Sequence, residues 1–241
     1  MSRSTPTEEY RFIPLEEKSR ETAQLLREIG GGEAILRMVN KFYQRMFEDQ
    51  HLDQFVLSHD DPHFLRLGNW IIEKMGGEGN VWTEELKERS RCPVVITLPR
   101  VGKHIVHDRT SAHVAAWYCP KRPPAVLGNH FKLHDCRVWM RLMFWAARET
   151  QLFDNPSFQS WYTRFIADYI PVYERTAVSF VRESVRWSLD AQNIESYLER
   201  GNRMEIEVLG SEGRGVSLRE ALKSLPHEEA MDHDWPYNVN K

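Results

Sequence analysis

Four stretches of this chain place apolar residues at the spacing of one helix face, and glycine or proline stands at their ends. The clearest runs over 33–48, where Ile35, Val39, Phe42, Tyr43 and Met46 fall at i, i+4, i+7, i+8 and i+11. A second, over 62–75, aligns His63, Leu67, Trp70, Ile71 and Met75, with Asp60-Asp61-Pro62 as its start signal and Gly76-Gly77 as its stop. A third spans His130 to Glu149, with Phe131, Asp135, Trp139, Leu142, Met143 and Ala146 near one face. The fourth, about 156–186, carries Trp161, Phe165, Tyr169, Tyr173, Phe180 and Val181, and Pro171 is expected to kink it. Several amphipathic helices that cannot bury their faces alone predict an all-α fold.

Shorter helices are expected from Pro14 to the Gly30-Gly31-Gly32 stop, from Asp108 to Trp117, and from Asp190 to Arg200. Residues 49–60 read as a turn anchored by Phe55. Residues 78–107, with two prolines and β-branched runs, read as a loop with a short hairpin. From about 202 the chain is polar and glycine-containing, and the expectation is a loosely ordered tail with little to bury.

Composition removes several classes. The 241 residues are 41% hydrophobic with a net charge of −3, enough for one sizeable core and without a global field for nucleic acid or anionic membrane. No apolar run approaches the roughly 20 residues of a membrane span. The first residues lack an apolar leader, so a cytoplasmic protein is expected. Three cysteines without a CxxC pair fit a reducing compartment, and no CxxCH attaches a haem covalently. There is no GxSxG, Walker loop, GxGxxG or HExxH.

Chemistry is left to a middle region rich in histidine. His113, preceded by the small residues of RTSAH, can ligate a metal on a helix or simply pack there. His63 shares the apolar face of its helix, where a histidine is either a satisfied core residue or a functional one. Tyr43 and Trp139 carry buried-side donors that suit a core hydrogen bond or a bound ligand. Lys121-Arg122 and the other arginines read as solvated surface, with one pair available for propionates. Cys119 and Cys136 read as buried, inert thiols.

In order and spacing these segments resemble the truncated haemoglobins, the two-over-two helical globins. GG-EAILRMVNKFYQRMFED looks like that family's glycine turn and B helix with its Phe-Tyr pair, and HFLRLGNWIIEKMGG like its E helix. RTSAH followed by HFKLHDCRVWMRLMFW looks like the proximal segment and G helix of the second subgroup. The resemblance implies a globin-like sandwich over 28–187. Residues 1–27 would form an N-terminal extension with a short helix, and 188–241 a partly disordered C-terminal extension.

It implies non-covalent haem b, with His113 as the iron ligand and Tyr43 as a donor to bound gas. His63 falls at the distal position, where it faces the iron or ligates it. Leu67, Trp70, Phe55 and Trp139 would pack on the macrocycle. The segments on either side of His113 are longer than in the compact family form, which leaves His107 as the fallback ligand. The function implied is reversible binding of O2, NO or CO with slow O2 release, compatible with nitric oxide dioxygenation through an external reductase. Two other readings stay open: a gas or redox sensor in which His63 binds iron, and a haem-free helical interaction module.

Overall fold

The computed structural model describes residues 17–56, 58–90, 95–98, 102–105, 109–232 and 235. The described chain is mostly helical, as the periodicities require. Helix α1, Arg20–Glu28, opens on a reciprocal cap in which the Ser19 hydroxyl accepts from the Thr22 N–H and the Thr22 hydroxyl from the Ser19 N–H. Gly30, at φ 98°, turns the chain into α2, Gly31–Glu48. After a 3-10 turn at Asp53–Phe55 comes α3, His63–Lys74.

The start of α3 differs from expectation. Pro62 is its cap residue and no side chain caps it; the His63 N–H bonds the Asp61 carbonyl instead. Its end is as read. Gly76 takes φ 85°, and the Gly77 N–H reaches back to the Ile72 carbonyl at 2.9 Å. A Cβ on Gly77 would lie 2.3 Å from Ile72 Cγ2 and 2.9 Å from that carbonyl oxygen, so only glycine closes this turn.

The stretch read as loop contains a further helix, α4, Val81–Ser90. Thr83 fixes it, its N–H (2.9 Å) and hydroxyl both donating to the buried Glu73 of α3. That tertiary anchor is invisible to local pattern. The expected hairpin follows as β1, Val95–Leu98, antiparallel to β2, Gly102–Ile105, with Val95 opposite Ile105. Helix α5, Arg109–Trp117, then leads through the PKRPP turn to α6, Leu133–Glu149.

Helix α6 is the centre of the core, buried on nearly every face and packed against α2 and α8. Helix α7, Pro156–Tyr169, starts on an Asn155 cap with proline in its first turn. Pro171 breaks this helix rather than kinking it. Two 3-10 segments, Ile170–Val172 and Arg175–Phe180, separate α7 from α8, Val181–Leu189. Helix α9, Ala191–Glu199, follows.

The reading of residues beyond 202 as having little to bury is corrected. They form the short helices α10, Ile206–Leu209, α11, Leu218–Ala221, and α12, His227–Ala230. Met204, Val208, Leu209, Ala221 and Leu225 are buried in the common core. Too few apolar residues stand there for a periodic signal. No helix among the described residues is long and apolar enough to cross a membrane.

Candidate functional site

The gap between α2, α3, α6 and α7 is closed on one side by α5. Tyr43 and Met46 enter from α2, Leu67, Trp70 and Ile71 from α3, and His113 from α5. Asp135, Cys136, Trp139 and Met143 come from α6, with Phe165, Ile166 and Tyr169 from α7 and Tyr173 just beyond it. Helical spacing alone sets this convergence: Leu67, Trp70 and Ile71 share one stripe of α3, as do Trp139 and Met143 on α6. The lining is mostly aromatic and aliphatic.

The space between these walls is a narrow slot of about 720 Å³, part of it opening to solvent.

His113 sits partly buried at this slot, with its Nδ1 3.4 Å from the Tyr173 hydroxyl. Tyr173, Phe131 and Trp117 surround its ring, with centroids 5.1, 5.9 and 6.2 Å away. Tyr43 packs edge-on to Phe42, which in turn packs edge-on to Trp139. Trp70 stands against Phe165 and Tyr169, at 5.0 and 4.6 Å between centroids.

Five of the seven residues singled out from sequence therefore line one cavity: Tyr43, Leu67, Trp70, His113 and Trp139. The other two stand behind it. His63 stacks on Tyr43, with centroids 5.7 Å apart, and its Nε2 lies 3.0 Å from the Ser58 carbonyl, to which it donates. Phe55 packs on Phe131, a lining residue, at 4.7 Å. His107 lies outside the described residues.

Sequence reading missed Tyr173, Phe165 and Tyr169 as site residues. A signal existed: Phe165, Tyr169 and Tyr173 recur every fourth position as an aromatic stripe. It also misjudged the arginines. Arg122 is buried, donating to the carbonyls of Ala116, Gln54 and Phe55, and so ties α5 to the turn after α2 rather than facing solvent. Arg137 and Arg141 are fully buried on α6, away from the slot. Cys136 is buried as expected, and burial pushes its thiol far above the ordinary range, which makes it inert. Cys119 is only partly buried.

No family model, curated protein or solved structure compared with this chain matches it.

Proposed function

We propose that this chain is a haem protein of the truncated-globin type, its helices α2, α3, α6 and α7 forming a two-over-two sandwich around the slot. One observation carries the reading: a histidine, a tyrosine and a tryptophan from three different helices meet at one thin, mostly apolar gap. The residues fit the group. Aromatic and aliphatic walls suit the faces of a macrocycle, and His113 offers an imidazole whose Nδ1 is turned to Tyr173, which selects Nε2 as the ligating nitrogen.

When bound, haem iron supplies a coordination position for a diatomic gas. The protein's part is to exclude water with Leu67, Ile71 and Met143 and to offer donors from Tyr43 and Trp139. His63, behind Tyr43, holds that ring in place; its contact with Ser58 favours this over direct ligation of iron. Donors around a bound gas slow its release, which suits nitric oxide dioxygenation with an external reductase better than bulk transport. Three sparse cysteines fit a reducing compartment such as the cytoplasm.

The test is addition of hemin to the purified full chain. A Soret band distinct from free hemin, changed in His113→Ala, is the expected result. No band, or a band identical in His113→Ala, overturns the reading and leaves a haem-free helical module.

A further inference from the structure

A second constellation lies at the N-terminus of α6, apart from His113. His51, in the turn after α2, directs its Nε2 at Asp135 Oδ1, and His134 places its own Nε2 3.3 Å from that same oxygen. The three potential ligand atoms all lie within 4.8 Å of one another. All three side chains are nearly enclosed, with 11% of each imidazole and 3% of the carboxylate exposed.

The surroundings hold each group in place. The other Asp135 oxygen accepts the Lys132 N–H at 2.6 Å, which fixes the carboxylate's orientation. The His51 N–H donates to Asp49 Oδ1 at 2.9 Å, and Asp49 also accepts from the buried Tyr197 hydroxyl. Over His134 the chain passes so close at Gly215 that a Cβ there would lie 2.0 Å from His134 Nδ1. Gly215 takes φ 84°, so a glycine is needed twice over, for conformation and for space.

A plain hydrogen-bond clamp needs only one imidazole on that carboxylate oxygen. Two imidazole nitrogens and one carboxylate oxygen, from the turn after α2 and the first turn of α6, make a donor set of borderline softness with a position left open. Ligand atoms around a tetrahedral zinc stand roughly 3–3.5 Å apart, given metal–ligand bonds of about 2.0–2.2 Å. The 3.3 Å between His134 Nε2 and Asp135 Oδ1 already falls in that range, and the His51 ring would draw back from the carboxylate to reach it.

We propose that His51, His134 and Asp135 form a binding site for a divalent transition cation of the Zn2+ class, with water as the fourth ligand. The site joins the turn after α2 to the start of α6, beneath the loop at Gly215. It does not include His113, although Asp135 also borders the slot, and it stands whether or not haem binds.

The experiment uses the full chain without a polyhistidine tag, stripped with chelator and titrated with Zn2+ alone. Elemental analysis after desalting is expected to give one zinc per chain in the wild type and in His113→Ala. His51→Ala and His134→Ala are each expected to weaken binding at least tenfold. Wild-type protein that retains no zinc at micromolar metal, or the two variants retaining as much as wild type, overturns the proposal. If a variant fails to fold by circular dichroism, Co2+ added to the wild type decides. Visible bands of a four- or five-coordinate site are expected, and a spectrum of hexaaquo Co2+ alone overturns it.

Discussion

On one side of α6, Trp139 and Met143 face the slot; on the other, Arg137 and Arg141 are fully buried and each faces a carboxylate. Arg141 bonds Glu183, Glu205 at 3.0 Å and Glu207 at 2.6 Å. Arg137 reaches Glu183 at 3.6 Å, the Glu207 carbonyl and the Ser224 hydroxyl at 3.2 Å, and stacks over Phe180. Burial disfavours the Arg141 charge, but Glu183 and Glu207 outweigh it and hold its pKa above the ordinary value. The slot side is held by apolar contact, which is non-directional and tolerates spare room. The ionic side is directional, and one missing partner strands a charge out of water. One helix thus borders the slot on one face and fixes the C-terminal segment with the other.

The contrast breaks most readily at Glu183. Glu183→Ala is expected to cost about 3–5 kcal/mol, because Arg141 loses its most buried partner and Arg137 its nearest carboxylate. Urea unfolding measures this, and a cost below about 1 kcal/mol would mean that Glu205 and Glu207 suffice. On the slot side Leu67→Trp should behave differently. Filling the gap is expected to abolish the Soret band on hemin addition while costing about 2 kcal/mol by overpacking. A stable variant that still takes up hemin would place the ligand elsewhere.

Glu73 tests whether a buried carboxylate with neutral donors behaves like the ionic face. Burial pushes its carboxyl up, but the hydroxyl and N–H of Thr83, with Lys18 at 3.2 Å, more than offset this and hold it below the ordinary 4.5. A depressed folded-state pKa means stability that is fully present above 4.5 and is lost as pH falls below it through the lower folded value. Glu73→Gln is expected to cost about 1 kcal/mol at neutral pH. The gap between wild type and variant should close in acid, as followed by thermal melts from pH 6 downward. A gap that widens in acid would reverse the sign assigned to Glu73.

What the sequence made legible follows the same divide. The slot-facing residues of α2, α3 and α6 were visible because helical periodicity marks a continuous apolar stripe, and Tyr43, Leu67, Trp70 and Trp139 all stand on such stripes. His63 shares that stripe yet sits behind Tyr43, since it opens its helix and the chain at Ser58 passes within reach of its ring. Periodicity gives a face and not a depth. The ionic face was illegible for another reason. Arginine reads as surface by default, and its partners Glu205 and Glu207 lie more than 60 positions away. A usable clue lay in α6 itself: Val138, Met140, Leu142, Phe144 and Ala147 surround the two arginines, and a helix apolar on every side has no solvent face to offer them. Helix α4 was missed because its anchor, Glu73, belongs to another helix.

The smallest expected effect separates burial from charge as the cause. Arg186 of α8 pairs with Glu229 of α12, so it too ties the C-terminal segment to the core, but 46% of its side chain is exposed. Water already solvates that guanidinium, so removing Glu229 strands nothing positive in the interior. Glu229→Gln is therefore expected to cost about 0.5 kcal/mol, less in high salt, where screening removes most of an exposed pair's attraction. Urea unfolding at low and at molar salt measures both numbers. A loss near that of Glu183→Ala, or one indifferent to salt, would show that the C-terminal segment depends on its ion pairs whatever their depth. In that event the two faces of α6 would differ only in which residues they carry and not in how they hold the fold.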